Sequence, residues 1–251
     1  MSTITIKTPE EIKKLREGGK ILAKVLRELE GAARPGVKTH ELEDLAQKLI
    51  KEAGAKPSFL GYGEPPYSAA LCTSVNEEVV HCIPSNREIK EGDLIGLDCG
   101  IWYKELCTDM AVTIPIGKVS AEVKKLIKVT RKALDIAINQ IKPGNTIGDL
   151  GSAVQKYVEK NNFSVIRKLV GHGVGYQVHE PPRIPNFGEP GEGEILKEGM
   201  VLAIEPMVNV GSHDIEVRDN KWDIVTKDKS LSAHFEYTVV VTKNGCEILT
   251  K

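Results

Sequence analysis

Residues 90–109 read KEGDLIGLDCGIWYKELCTD, and residues 197–207 return the opening of that stretch in altered form as KEGMVLAIEPM. At an offset of 107, Lys90-Glu91-Gly92 meets Lys197-Glu198-Gly199 and Asp98 meets Glu205. In each copy a mostly apolar run, Leu94–Leu97 or Val201–Ile204, closes on an acid. Such a run, bounded by turn signals, reads as a buried strand. An ionised carboxylate on a buried strand is costly unless something compensates it. Two related strands that each end in one call for a cation.

The duplication extends further. At an offset of 108, Pro35-Gly36 meets Pro143-Gly144, Leu42 meets Leu150, and Gln47-Lys48 meets Gln155-Lys156. Val80-His81-x-x-Pro84 echoes Val178-His179-x-x-Pro182, and Asp109 with its strand (DMAVTI) echoes Glu236 with its strand (EYTVVVT). All four echoes keep the same chain order, which argues for two similar halves with the chemistry between them.

Composition narrows the class. A chain of 251 residues buries a sizeable core and suits two intimate halves better than separate modules. A net charge of −1 with interspersed signs gives no global basic footprint for DNA. The five cysteines (Cys72, Cys82, Cys99, Cys107, Cys246) make no C-x-x-C pair and suit a reducing compartment, most of them as small buried hydrophobes. Neither a signal-peptide pattern nor a membrane-length apolar run is present, so the expected location is cytoplasmic, without membrane association.

Periodicity predicts the elements. Thr8-Pro9-Glu10-Glu11 starts a helix from about Pro9 to Glu30, and Thr39 starts a second that ends near Gly54. Lys56–Tyr67 is a Gly/Pro loop whose Tyr62 and Tyr67 either line a site or anchor the loop. Leu71–Val75 reads as a strand and Val79–Ile83 as a connection. Leu94–Trp102 and Glu105–Ile114 form a hairpin with its turn near Tyr103-Lys104, which sets Asp98 roughly opposite Asp109. In the second half, helices are expected from Ser120 to about Ile141 and over Ile147–Lys160. The glycine-rich GHGVG stretch (residues 171–175) and a Pro-rich loop from His179 to Gly193 follow, then strands at Val201–Val210, Asp214–Arg218, Trp222–Thr226 and Phe235–Thr242. The GHGVG stretch has neither G-x-G-x-x-G nor a Walker lysine, so nucleotide binding is discounted.

Taken singly, His172 reads as a structural histidine and Glu236 as half of an ordinary ion pair. Together, Asp98, Asp109, Glu205 and Glu236 with one imidazole carry a charge that two divalent cations neutralise. Carboxylate-rich sites with one histidine suit Mn, Fe, Co or Zn, and the absence of cysteine ligands argues against structural zinc. Two such ions about 3.5–4 Å apart generate hydroxide at neutral pH and polarise a carbonyl. Amide hydrolysis is the natural reaction.

The set LDCG, CTD, GHGVG, AIEPM and LSAHFEYT, spread over nearly the whole chain, resembles the methionine aminopeptidases, and the ordered D, D, H, E, E series resembles the pita-bread metallopeptidases. The absence of a long helical insertion and of an N-terminal zinc-finger extension resembles type I. The resemblance implies an α+β fold: one catalytic domain over 1–251, with halves of about 1–115 and 116–251 and a curved antiparallel sheet carrying helix pairs on its outer face. It also implies that Asp109 and Glu236 bridge two metals, that Asp98 chelates one, and that His172 and Glu205 complete the other. In the same comparison Glu205 shuttles a proton to a bridging hydroxide, His81 contacts the scissile nitrogen side and His179 the carbonyl oxygen. Tyr62, Tyr67, Cys72 and Trp222 become candidates for a methionine pocket. Cys82 stands where the family usually has Gly, and Val178, in place of an aromatic, is expected to widen the pocket enough for other unbranched side chains.

The implied substrates are nascent polypeptide N-termini with a small second residue, handled by a monomer near the ribosomal exit tunnel. Lys124, Lys125, Lys128, Arg131 and Lys132 read more simply as a solvated helix face. Two alternatives stand beside this reading. An Xaa-Pro aminopeptidase or dipeptidase of the same fold is disfavoured by the short N-terminus, and a non-enzymatic pita-bread binding module by the intact ligand set.

Overall fold

The computed structural model describes residues 3–251. Two helices, α1 (Pro9–Ala32) and α2 (Thr39–Glu52), precede the strands β1 (Lys56–Pro57), β2 (Leu71–Val75) and β3 (Glu78–Val80) and the long hairpin β4 (Leu94–Tyr103) and β5 (Leu106–Pro115). The plan then repeats with α3 (Ala121–Gln140) and α4 (Ile147–Lys160). Strands β6 (Ser164–Val165), β7 (Gly171–Gly173), β8 (Glu180–Ile184), β9 (Val201–Ile204), β10 (Met207–Asn209), β11 (Ile215–Val217), β12 (Ile224–Thr226), β13 (Ser232–His234), β14 (Glu236–Thr242) and β15 (Gly245–Ile248) complete the chain. Thr8 caps α1: its hydroxyl accepts the Glu11 amide while the Glu11 carboxylate accepts the Thr8 amide. Thr146 and Asp149 cap α4 in the same reciprocal way, whereas Ser120 caps α3 by accepting the Val123 amide alone.

The main sheet runs β1-β4-β5-β14-β9-β7-β8, with β2 beside β4 and β15 beside β14, every pairing antiparallel. The two halves meet where β5 joins β14, through Glu236↔Ala111 and Tyr237↔Met110. Alternation along the strands sorts the two faces. Cys99 and Ile101 of β4, Met110 and Val112 of β5, Leu202 and Ile204 of β9, and Val239 and Val241 of β14 join one buried cluster with helix residues such as Leu22, Leu26, Ala46, Leu126 and Val154. Each such side chain contributes about 1.5–3 kcal/mol by leaving water. The alternate positions, Asp98, Asp109 and Glu236 among them, face the other way. The expected pita-bread architecture, a curled antiparallel sheet backed by helix pairs, is therefore present.

Several local expectations are corrected. The hairpin turn falls at Lys104-Glu105, both with positive φ (48° and 67°), one residue later than expected. The register is therefore Asp98↔Ala111 and Gly100↔Asp109, which makes the two aspartates diagonal neighbours on one face rather than direct partners. The stretch expected as a connection over Val79–Ile83 starts inside β3, which pairs with β12 across the halves. Part of the glycine-rich stretch is β7, and the Pro-rich loop contains β8, an edge strand that tolerates prolines lacking a donor. The single strand expected over Val201–Val210 is broken at Glu205-Pro206, where proline cannot continue the ladder. β15 was not anticipated.

Candidate active site

Asp98 comes from β4, Asp109 from β5, Glu236 from the start of β14, His172 from β7, and Glu205 from the break just after β9. A carboxylate oxygen from each of Asp109 and Glu236 and a ring nitrogen of His172 lie within 4.8 Å of one another. His172 Nε2 is 3.4 Å from Glu205 Oε1, and its Nδ1 is 2.9 Å from the Gly173 carbonyl. Backbone clamps fix the acids: the Asp109 amide donates to Thr238 Oγ1 (2.9 Å), and that hydroxyl donates to the Asp109 carbonyl (2.7 Å). Asn186 holds the Glu205 carbonyl at 2.9 Å.

Asp98 Oδ1 and Glu236 Oε1 are buried without a hydrogen-bond partner, whereas buried carboxylates ordinarily find one. Burial, reinforced by the neighbouring acids, raises Asp98 and Glu236 well above the usual carboxylate range and brings Asp109 up to about 7. Burial alone raises Glu205 to about 8. The same burial, helped by mutual repulsion, lowers His172 to about 3 and His81 to about 4, and it lowers His234 to about 3. A set of acceptor-only oxygens plus one neutral imidazole fits hard-to-borderline divalent cations.

These shifts predict a pH dependence. In the unfolded chain the acids titrate near 4, so from there up to their raised values the folded metal-free protein holds protons that the unfolded chain has released. Its stability falls as pH rises through that interval. The lowered histidines act oppositely: their contribution is complete above the unfolded value near 6.5 and is lost on acidification. Above pH 6.5 only the acids remain, and each one still protonated in the folded state costs about 1.4 kcal/mol per pH unit, so chelator-treated protein should lose several kcal/mol by pH 8, or roughly 10 °C in Tm. Calorimetry at several pH values checks this, and a Tm that stays flat or rises over the interval contradicts it.

The acids floor a cavity of about 460 Å³ of interatomic space whose wall includes Phe59, Tyr62, Tyr67, Cys72, His81, His179 and Trp222. All of the site residues expected from the sequence are thus brought together. Tyr67 serves both roles left open for it. Its ring lines the cavity and meets Trp222 edge-on at 5.0 Å, while its buried hydroxyl donates to the carbonyls of Leu71 and Cys82, both at 3.1 Å. Trp222 Nε1 donates to Pro65 O at 3.0 Å, and its ring lies so close to Gly63 (φ 77°) that a Cβ there would stand 2.6 Å from it. His179 packs on His172 with ring centres 4.3 Å apart, and its Nδ1 is 2.7 Å from the Tyr62 hydroxyl. Tyr62 therefore orients a histidine as well as lining the pocket.

Val178 is buried behind the cavity, in the cluster with Tyr67, Cys72 and Val174, and does not itself line the wall. Two residues escaped the sequence reading. Phe59 lines the cavity from the same loop as Tyr62. His234 places Nε2 3.4 Å from Glu205 Oε2, and its position two residues before Glu236 was the available signal. A second cluster, Glu78, Cys82 and Asp223, is already neutralised by guanidinium. Arg218 Nη1 lies 2.8 Å from Glu78 and 3.5 Å from Asp223, and Arg87 Nη1 lies 2.6 Å from Glu78. Asp223 also accepts the Ile83 amide at 2.9 Å, which braces the turn carrying His81 at φ 59°.

A curled antiparallel sheet with carboxylates from both halves meeting under histidines defines a metal-dependent hydrolase. Residues 13–243 match metallopeptidase family M24, and the chain belongs to that family. It is similar to the methionine aminopeptidase of Clostridium acetobutylicum, with 48% identity over 248 residues and 98% of either chain covered. The crystal structure of methionine aminopeptidase from Thermotoga maritima superposes with a TM-score of 0.97 at 46% identity, covering 99% of this chain and 100% of that one. The prolidase of Pyrococcus furiosus is more distant, with 27% identity, a TM-score of 0.79, and 98% of this chain against 65% of that one covered.

Proposed function

We propose that this enzyme is a methionyl aminopeptidase that hydrolyses the first peptide bond of chains beginning with methionine and followed by a small residue. The likeness to methionine aminopeptidases, at 48% and 46% identity against 27% for the prolidase, carries this reading over the proline-specific branch. Asp98, Asp109, His172, Glu205 and Glu236 would hold two divalent cations, drawn from Co, Mn, Fe or Zn. Asp109, His172 and Glu236, whose ligating atoms lie within 4.8 Å of one another, would supply the centre of that set, with Asp98 and Glu205 completing it. When bound, the ions polarise the scissile carbonyl and acidify water.

The chain's own groups do the rest. Glu205, desolvated enough to favour a proton near neutral pH, accepts one at its carboxylate and returns it to the leaving amine. With the Tyr62 hydroxyl donating to His179 Nδ1 (2.7 Å), the Nε2–H of His179 is free to donate to the carbonyl oxygen as charge develops there. His81, neutral by burial, serves the nitrogen side. Phe59, Tyr62, Tyr67, Cys72 and Trp222 make a sulfur- and aromatic-lined recess suited to an unbranched thioether.

Nascent N-termini would be the partners and the cytoplasm the place. No helix among the described residues is long and apolar enough to cross a membrane. On α3, Arg131 donates to the Tyr237 hydroxyl at 2.7 Å and Lys125 to the Asn161 carbonyl at 2.8 Å, so the basic face there is partly committed within the molecule.

The test strips metal with chelator, restores Mn, Co, Fe or Zn in turn, and follows free methionine from Met-Ala-Ser beside release from Xaa-Pro peptides. Restoration by metal, and loss of about 10²-fold or more in Glu205→Ala, is expected. Cleavage confined to Xaa-Pro bonds, or no restoration in folded protein, would overturn it.

A further inference from the structure

His234 ends β13 as a buried residue, and its backbone is pinned twice by one hydroxyl. Thr113 Oγ1 donates to its carbonyl at 2.7 Å and accepts its amide at 2.9 Å. The strand is fixed again opposite β10, where His234 pairs with Met207, two residues beyond Glu205. The imidazole thus has little freedom of placement, and it is aimed at the Glu205 carboxylate. Nε2 lies 3.4 Å from Oε2, and no hydrogen bond satisfies it. The other oxygen, Oε1, faces His172 Nε2 at the same 3.4 Å. Glu205 is therefore bracketed by two imidazoles, one for each oxygen. They differ in kind: the His172 nitrogen clusters with oxygens of Asp109 and Glu236 within 4.8 Å, and His234 is outside that group. A buried N–H without a partner is costly, and Oε2 is the acceptor in reach.

We propose that His234 is a positioning residue for Glu205, donating from Nε2 to Oε2 so that Oε1 stays turned toward the cation shared with His172. This rests on Glu205 completing the metal centre as proposed above. A carboxylate held at one oxygen cannot rotate to chelate with both, and its remaining oxygen keeps the orientation that ligation and proton transfer require. Donors of this type outside the ligand set ordinarily change metal affinity or rate by about 10–100-fold.

The test uses Co²⁺ as probe, titrated into metal-stripped full-length protein by calorimetry and by visible absorption, together with kcat and KM on Met-Ala-Ser. His234→Leu should weaken Co²⁺ binding and lower kcat, each by about 10–100-fold, with KM within about twofold of wild type. His234→Gln, which keeps an N–H donor at the end of its side chain, should recover most of both. His234→Phe, which fills the ring's space without a donor, should behave like the leucine variant and replaces it if that variant does not fold.

Wild-type Co²⁺ affinity, spectrum and kcat in either folded donor-less variant would overturn the proposal, as would a glutamine variant no better than leucine. Glu205→Ala separates the two levels. If it binds Co²⁺ and releases methionine like wild type, the metal-centre reading fails and this inference with it. If it is impaired while the His234 variants are not, only the inference fails.

Discussion

Asp109→Asn should release methionine at least about 10³-fold more slowly than wild type, corresponding to roughly 4 kcal/mol of lost transition-state stabilisation, while the chelator-treated variant melts above chelator-treated wild type. The opposite signs share one cause. Asp109 stands on β5 at the junction of the halves, diagonal to Asp98 and within ligand distance of Glu236 and His172. With cations bound as proposed, its carboxylate would be one of the negative charges that balance them. Without cations, it is one of four crowded acids whose burial raises its pKa to about 7. Asparagine keeps the shape and can still accept the Met110 amide that Asp109 Oδ1 holds at 2.9 Å, but it sheds the charge. Activity within tenfold of wild type with metal restored would refute the assignment. A lower Tm in the chelated variant would show that shape, rather than charge, dominates at this position.

Gly173→Ala should cost at least about 3 kcal/mol of stability and, in whatever protein folds, about 10²-fold in kcat. A Cβ at this position would stand 2.2 Å from the Pro181 carbonyl oxygen and 2.9 Å from that of Glu180. Both are backbone atoms of β8, which pairs with β7 across a register shift between His172 and Gly173. No side chain can move aside, so the two strands must part. His172 precedes Gly173 on one strand and His179 leads into the other, with the two rings meeting edge-on at 4.3 Å. Opening that pair displaces both imidazoles. Denaturant unfolding and steady-state rates measure the two effects, and a variant within about 0.5 kcal/mol of wild type would mean that the strands separate far more easily than their pairing implies.

The parts legible in the sequence are those written in periods and repeats. All four helices are signalled by apolar spacing, three of them with a capping Ser or Thr as well, and α4 matches its expected bounds, Ile147–Lys160. The repeated Lys-Glu-Gly-acid stretch located the strands that bring Asp98 and Glu205 together. What the sequence obscured is set by contacts distant along the chain. The β4–β5 turn has positive φ at Lys104 and Glu105 without a Gly or Asn to mark it, so its centre was misplaced by one residue and the register of the aspartates by two. Because side chains alternate with period two, that error kept both acids on the correct face. β3 has three residues and exists because β12 lies beside it, and no local pattern announces such a strand. The bond from Tyr62 to His179 spans 117 positions, and the approach of His234 to Glu205 depends on β13 lying against β10.

The seam between the halves also bears on motion. In the main sheet β5 and β14 share only two residue pairings, yet the seam is stitched at both ends by hydroxyls, Thr238 on the Asp109 backbone and Thr113 on the His234 backbone. A second tie crosses elsewhere, where β12 pairs with β3. A hinge at this line would have to break these ties and pull the acids apart, so they resist opening of the molecule like a shell. The cavity wall also includes Phe59 and Tyr62 from one loop, Tyr62 being 38% exposed, and Trp222 from a separate turn. Turnover limited by release is therefore expected to respond to substitutions in those segments more than to substitutions along the seam.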